Sequence, residues 1–389
     1  MPTSQPNTKP AIAWLPAIVL TSTFVIAVTL VPWYGFVEGY SWQVCLAGLV
    51  FLIANGMSIT AGYHRLWAHN TYKAHWLLRL PLALFGAAAT QNSILVWASG
   101  HRRHHRHVDN NQLDPYSAKR GFWFSHIGWM LRSYPSGADD FSNAQDLLRD
   151  PIVAWQHKYY LAITVVMNFV PPILVGVATG EMLASLLIVG VLRLVLSHHS
   201  TFFINSLAHI WGKQPYTDDN SARDNSVLAL MTYGEGYHNY HHIFQNDYRN
   251  GIRWWHFDPT KWLIKGCSFV RLTHDLKRVP SFKIQRAKMT MQFKKAEQKM
   301  AMASNADDWR QYLEQEYEQF SQSLNEWTEL KQQWYQQKRE QLSEATHELS
   351  QELHRKWQQT AIHGRLQELE YALKIQSQRL ESLTLQLAS

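Results

Sequence analysis

The chain has 389 residues, among them 17 Trp, 17 Tyr and 16 Phe, and a formal net charge of +7. Its two cysteines, Cys45 and Cys267, lie far apart in apolar stretches, which argues against a disulfide framework and against a cysteine-ligated zinc or iron–sulfur site. Residues 285–389 hold 14 Lys/Arg and 15 Asp/Glu, so residues 1–284 carry a net +8. That basic excess adjoins apolar stretches, and points to anionic lipid, a phosphate-bearing substrate or an acidic protein rather than nucleic acid.

Residues 1–10 are polar. No residue from Ala11 to Val37 is charged. About 20 apolar residues cross a bilayer, so a first transmembrane helix is predicted at about 11–35. It is too long, and lacks the small-residue cleavage site, for a signal peptide. A second uncharged stretch at about 41–63 runs straight into His64. The apolar stretch at about 76–98 has Arg79 near its start and Thr90-Gln91-Asn92-Ser93 near its end. A single crossing there would put the histidines before and after it on opposite sides of the membrane, so an interfacial or re-entrant segment is expected. Residues 99–158 form a soluble face. The third span is predicted at 159–180, kinked or divided at Pro171-Pro172. The fourth, at 182–207, contains Arg193, which is costly in hydrocarbon and is expected to snorkel, face a cavity or pair with a carboxylate, with structural pairing favoured.

The connections at Glu38 and Glu181 lack Lys and Arg, whereas 65–158 and 208–288 are rich in them. The positive-inside rule therefore puts both termini and the histidine motifs on the cytoplasmic side. The fold expected is an all-α integral membrane protein, with four spans and a cytosolic helical cap in a membrane domain at 1–284. After residue 285 the composition turns to Gln, Glu, Lys and Leu. Leu313, Tyr317, Phe320, Leu324, Trp327 and Trp334, then Leu366, Leu369, Leu373, Leu380, Leu383 and Leu387, keep a heptad-like spacing. This predicts a soluble, coiled-coil-like helical tail at 285–389, either an intramolecular hairpin or the arm of a homodimer, with Gly364 as a break between the two runs. A solvated helix with no dedicated partner is the alternative.

The chemistry lies in three histidine boxes: His64-Arg65-Leu66-Trp67-Ala68-His69, His101-Arg102-Arg103-His104-His105 and His238-Asn239-Tyr240-His241-His242. The second and third boxes place histidines at i, i+3 and i+4, on one helical face. The first is spaced i, i+5, roughly 140° around an ideal helix, and converges only if the helix ends or bulges between its histidines. Imidazole suits iron, zinc, copper and nickel, and eight ligands are too many for one ion and about right for two. His75, His107, His126, His157, His256, His274, His347, His354 and His363 read as ordinary structural or surface residues, and His198 and His199 are ambiguous. Zinc peptidases place a glutamate after the first histidine; here Arg65 follows His64. Haem would leave six histidines unused. A histidine-rich pair of iron ions with open positions can activate dioxygen for attack on an unactivated C–H bond of a lipid chain.

At this point the sequence resembles the membrane fatty acid desaturases, and more specifically the acyl-CoA delta-9 (stearoyl-CoA) desaturases. The resemblance covers roughly residues 40–260. It rests on the three boxes and on Thr71-Tyr72-Lys73-Ala74, Asp114-Pro115, Arg120-Gly121-Phe122-Trp123-Phe124-Ser125-His126-Ile127-Gly128-Trp129, Asn205-Ser206-Leu207-Ala208-His209 and Gly234-Glu235-Gly236-Tyr237. It implies two Fe2+ ions held by His64, His69, His101, His104, His105, His209, His238, His241 and His242, with Asn205 acting through a water. One iron is expected to take His64, His105, His238 and His242 or a closely related set. The acyl tunnel is expected along Gln91, Asn92, Trp97, Thr201 and Phe202, with Phe202 in place of the tryptophan usual in the animal enzymes.

The resemblance also implies the reaction: insertion of a cis double bond at the expense of dioxygen and two electrons. Animal acyl-CoA desaturases carry Arg-Asp just before the second box, where this chain has Ser99-Gly100. Acyl-CoA is the expected substrate, with acyl lipid or a carrier-protein-bound chain as alternatives. Arg102, Arg103, Lys119, Arg120 and Arg132 remain for phosphates. No His-Pro-Gly-Gly of a fused cytochrome b5 is seen, so a separate ferredoxin, rubredoxin, cytochrome or reductase is expected to supply electrons, docking on the basic face. A bacterial inner membrane is the expected location. The rival readings are a di-iron lipid or alkane hydroxylase and a non-catalytic metal- or haem-binding membrane protein.

Overall fold

The structure is a computed structural model that describes residues 10–300, 306–341 and 349–386. Of the positions read above, residues 1–9, His347 and Leu387, and the side chains of Leu313, His354, Leu380 and Leu383, lie outside the described set. Two compact units are present, Met1–Gln214 with Asp219–Arg278, and Pro215–Asp218 with Val279–Ser389.

Among the described residues of the first unit, four helices are long and apolar enough to cross a membrane: Trp14–Val37, Trp42–Ala68, Tyr160–Thr179 and Met182–His209. Their outward residues are apolar and bare, such as Leu15, Leu161 and Val177. Such surface is stable only in lipid. Ser41 starts the second span by accepting from the Val44 amide. Gly48 lets that span approach the fourth: a Cβ there would stand 2.6 Å from Ile188 Cγ2. The third span runs through Pro171 and Pro172 as one helix and is not divided. Ser185 Oγ donates to the Pro172 carbonyl at 2.6 Å, so a polar group of the neighbouring helix satisfies backbone near the prolines.

The second and fourth spans each contain a π-helical segment, Ser58–Ala68 and Leu186–Leu192. Arg193 follows the latter and is fully buried, but no carboxylate meets it among the described residues. Its guanidinium donates instead to the carbonyls of Val189 and Ala88 and to Asn168 Oδ1, at 2.9, 2.9 and 3.0 Å, and lies over the Phe51 ring. Carbonyl dipoles, rather than a carboxylate, solvate the charge.

Trp76–Ala88 is a helix of 13 residues, about 20 Å long, too short for a hydrocarbon core of about 30 Å. It packs on the second and third spans and returns through Thr90–Asn92 to a helix at Ile94–His107, which Ser93 caps. The Lys73–Ala74 strand pairs with Thr273–His274, tying the entrance of this excursion to the end of the unit. Ahead of the first span, Ala13 N donates to Leu131 O and Ser133 N to Ala11 O, so the chain before the span pairs with the histidine-bearing cap.

The second unit packs three helices, Ser281–Met300, Ala306–Gln341 and Leu349–Gln386, around Phe282, Met289, Phe293, Phe320, Leu324, Trp327, Leu366, Leu369 and Leu373. Both heptad runs thus meet within one chain. The helix that carries residue 284 starts at Ser281, so the division falls before the composition change. Gly364 does not break the last helix, which passes through it. Tyr317, expected on the apolar seam, is exposed.

Candidate metal centre

The first box lies on the π-helical end of the second span. There the His69 amide donates to the His64 carbonyl at 3.0 Å, an i→i+5 bond. The wider turn brings i and i+5 to one side, so the bulge demanded by the spacing is present. The second box ends the helix Ile94–His107, and the third forms the short helix His238–Ile243. His209 closes the fourth span, four residues after Asn205 ends its main helix.

These elements bring nine histidines into two groups. His64, His69, His101, His105 and His241 form one, and His104, His209, His238 and His242 the other; within each, the ligand atoms lie within 4.8 Å of one another. Nε2 faces Nε2 at 3.0 Å for His64–His241, 2.8 Å for His69–His101 and 3.0 Å for His105–His241. In the second group the distances are 3.1 Å for both His209–His238 and His238–His242. The set His64, His105, His238 and His242 is therefore divided: the last two stand with His104 and His209.

For four of the rings the far side explains the orientation. His104 Nδ1 lies 2.9 Å from Asp114 Oδ1, a buried carboxylate that also accepts the amides of Asp109 and Tyr116. His64 Nδ1 lies 2.9 Å from Glu235 Oε2. His101 Nδ1 meets the Tyr116 hydroxyl at 3.2 Å, and His209 Nδ1 meets Ser221 Oγ at 2.8 Å; that hydroxyl is held by Asp109. Arg65 is buried across Glu235 and Asp258, and donates to the Tyr248 carbonyl. Gly234 has φ +98, and a Cβ there would stand 2.6 Å from Asp258 Oδ1, so only glycine admits this closure.

A carboxylate at Nδ1 fixes the proton there and leaves Nε2 with a bare lone pair. At His64 and His104, the two rings with such a carboxylate, Nε2 is thereby free to meet a cation. Burial, together with the field of the neighbouring histidines, holds His69, His101, His105, His238, His241 and His242 well below the ordinary histidine pKa. They are neutral at physiological pH, the form that binds metal. Burial alone would raise Glu235, but Arg65 and His64 outweigh it and keep the carboxyl below its usual range. The donor set fits a pair of cations that accept imidazole nitrogen, and the cluster is compatible with a metal site.

Residues 40–272 match the family model described as Fatty acid desaturase. The chain belongs to the fatty acid desaturase family. It is 42% identical over 275 residues to a Probable acyl-CoA desaturase of Schizosaccharomyces pombe, an alignment covering 70% of this chain and 56% of that one. It is 40% identical over 286 residues to Acyl-CoA desaturase 1 of Saccharomyces cerevisiae, covering 72% and 56%. It is 36% identical over 263 residues to an sn-2 palmitoyl-lipid 9-desaturase of Nostoc sp., covering 66% and 87%. The chain thus spans about half the length of the two yeast proteins it matches. With its four apolar helices it is an integral membrane protein. The yeast relatives give no support to a bacterial inner membrane.

In this desaturase-family chain, Trp97 of the expected tunnel residues lies against the histidine groups, and Gln91, Thr201 and Phe202 contact one another or His198. Trp97 stacks on His101 at 4.8 Å and meets His64 edge-on. Gln91 donates to Thr201 Oγ1 at 3.0 Å. Phe202 is buried and stacks on His198. Thr90 and Asn92 both take positive φ, 52° and 73°, uncommon for such side chains. His198 Nε2 is held by Thr90 and by the Ala89 carbonyl, and His199 Nδ1 by His126. The two histidines left ambiguous by the sequence thus have structural partners. Arg102 and Arg103, expected to remain for phosphates, are engaged elsewhere: Arg102 binds Asp146 and the carbonyls of Ala68, Trp67 and Asn143, and Arg103 the carbonyls of Ser136 and Ala138. Arg132 donates to the Pro10 carbonyl, and Arg120 lies over the rings of Phe124 and Tyr134. Lys119 is exposed.

Sequence reasoning gave no role to Asp114, Tyr116, Glu235, Ser221, Asp109 or Asp258. The signals available were the Asp114-Pro115 pair and Glu235, an acid flanked by glycines three residues before the third box.

Proposed function

We propose that the protein is an oxygen-dependent delta-9 fatty acyl desaturase that acts on the cytoplasmic face of its membrane. The observation that carries this reading is the pairing of two converging histidine groups, one of five and one of four, beside an aromatic-lined segment at the ends of the second and fourth spans. His64, His69, His101, His105 and His241 would hold one iron, and His104, His209, His238 and His242 the other, with Asn205 acting through a water. A bound iron pair supplies dioxygen activation and removal of two hydrogens from adjacent carbons of the chain. With two electrons and two protons, dioxygen leaves as two waters.

The chain's own residues provide position. Asp114, Glu235, Tyr116 and Ser221 hold the rings from behind, and Trp97 walls the centre on the substrate side. Gln91, Asn92, Thr201 and Phe202 line the path of the acyl chain. The electron donor is proposed to be a ferredoxin, rubredoxin, cytochrome or reductase that meets the basic cytoplasmic face. The substrate proposed is acyl-CoA, the class named for the two yeast relatives. A lipid-borne chain is the second reading, favoured by the name of the Nostoc relative and by the engagement of Arg102 and Arg103 with backbone carbonyls.

The test is expression in a host lacking its own desaturase, fed a saturated acid, with methyl esters read by gas chromatography–mass spectrometry. A cis-9 monoene that disappears without oxygen is expected. A product that gains oxygen would assign a hydroxylase instead. Iron measured on the purified chain separates an enzyme lacking its donor from a chain that binds no iron. Membranes given labelled palmitoyl-CoA or labelled phosphatidylcholine then assign the carrier.

A further inference from the structure

The helix Pro259–Phe269 follows the histidine boxes, and its outer face is not used by the metal centre. Thr260, Lys261 and Ile264 are buried, while Trp262, Lys265, Gly266 and Phe269 are exposed along one stripe, followed by bare Val270 and Arg271. Phe269 is 76% exposed and Val270 67%. Large aromatic and apolar groups at such exposure are stable against something less polar than water. The level of the helix is fixed by the second span: Thr260 Oγ1 bonds Thr60 Oγ1 at 2.7 Å, and the adjoining Tyr233 hydroxyl donates to the Leu52 carbonyl inside that span. Thr60 lies 18 residues beyond the start of the span at Trp42, about 27 Å along it, where a hydrocarbon core of about 30 Å ends. At its other end, Leu272 O accepts from the His75 amide, beside exposed Trp76 and Leu77 at the start of the interfacial helix. The helix therefore sits at the level where the second span leaves the hydrocarbon, with its far end next to the start of the interfacial helix.

Its charge is one-sided. From Arg249 to His274 the only acid is Asp258, which is buried, caps the helix and binds Arg65. Lys265 Nζ stands 4.8 Å over Phe269, the geometry of a side chain whose stem covers apolar surface while its ammonium reaches outward. Arg253 lies likewise over Trp255. The nearest other acid, Asp275, is paired with Lys73.

We propose that the face Trp262–Lys265–Phe269, with Val270 and Arg271, is a binding surface for anionic phospholipid of the cytoplasmic leaflet. The aromatic and apolar groups enter the headgroup–acyl boundary, and Lys265 and Arg271 meet lipid phosphate and carboxylate. Asp258 caps this helix and also holds Arg65, next to His64, so the lipid contact and the first histidine box share one rigid support.

The test uses the full chain in lipid nanodiscs, with Cys45→Ser and Cys267→Ala so that one nitroxide can be placed at Phe269→Cys or, separately, Val270→Cys. Power saturation should show both labels shielded from a water-soluble nickel relaxer and open to oxygen, like a label at Leu161→Cys in the third span. A label as open to nickel as one at Lys374→Cys in the tail would overturn the proposal. In the unlabelled chain, Lys265→Glu with Arg271→Glu should lower phosphatidylglycerol binding, titrated against phosphatidylcholine by native mass spectrometry, by about fivefold per basic residue removed. Unchanged preference for phosphatidylglycerol would leave an apolar contact only and sink the anionic assignment.

Discussion

The histidine core and the C-terminal bundle are both built from helices, and they are held together by opposite means. In the bundle, Phe293, Phe320, Trp327 and Leu369 exclude water, and the Arg365–Glu326 pair lies on the outside, with Glu316 and Gln376 the buried polar groups among the described residues. In the core the buried side chains are His64, Arg65, His104, Asp114, Glu235 and His241. An apolar core tolerates many sequences of similar volume, whereas a buried polar core requires every partner at once. A single change should therefore be destructive in the first region and local in the second.

The sharpest form of that contrast is His104→Ala or His241→Ala, one from each histidine group. Desaturated product should vanish and bound iron should fall; normal product from either variant would remove its histidine from the centre. Next is Glu235→Ala, which leaves Arg65 buried with Asp258 as its remaining counter-charge. Breaking one partner of such a buried network costs about 3–5 kcal/mol. Loss of the His64 anchor should lower iron affinity by about 10- to 100-fold. Chemical denaturation and iron titration read the two effects separately, and a change in stability with unaltered iron affinity would limit Glu235 to a folding role.

What the sequence made legible follows from the range of each interaction. The i, i+3, i+4 boxes are local, so their convergence could be read from spacing alone. The i, i+5 box foretold a bulge, and the π-helical segment Ser58–Ala68 provides it. The four spans were legible because hydrocarbon admits no exposed backbone and few charges. The supporting groups were not, because they depend on contacts distant in the chain: Glu235 reaches back to His64, and Ser221 links Asp109 to His209. Arg193 is structurally paired, as favoured, but its partners were hidden for the same reason. Its carbonyl partners at Ala88 and Val189 carry no side-chain signature that a sequence could reveal.

In the bundle, Trp327→Ala removes a fully buried ring whose Nε1 donates to Glu370 at 3.4 Å. The expected loss is about 3–5 kcal/mol, confined to the three helices. Hydrogen exchange should quicken across peptides containing Phe293, Phe320 and Leu369, while iron content and product stay unchanged. Lost iron would show that the metal centre depends on the bundle.

Acidification divides the regions again. His69, His101, His105, His238, His241 and His242 have folded pKa values below the ordinary value of about 6.5, so in the metal-free chain the unfolded state binds more protons as pH falls below that value. Stability of the membrane unit should be flat above about pH 6.5 and decline below it. The bundle has no buried histidine among its described residues, and its protection should hold through the same window. Hydrogen exchange at pH 7.5 and pH 5.5 compares the two within one sample; equal losses in both units would show that something other than histidine burial drives the acid response.

The smallest effect bears on how the bundle's last helix is made. Gly364 falls between the two leucine-bearing runs, and a break was expected there, yet it sits in the uninterrupted helix Leu349–Gln386 with nothing within 4 Å of a Cβ placed on it. Glycine in a helix interior costs backbone entropy that alanine does not. If the helix is continuous, Gly364→Ala should stabilise it by about 0.4–1 kcal/mol, seen as roughly two- to fivefold slower exchange in peptides spanning Ile362 to Leu373. If the chain instead turns at this position, alanine would strain the turn and exchange would quicken. The sign of the change therefore checks the continuous helix, and the histidine centre should not respond.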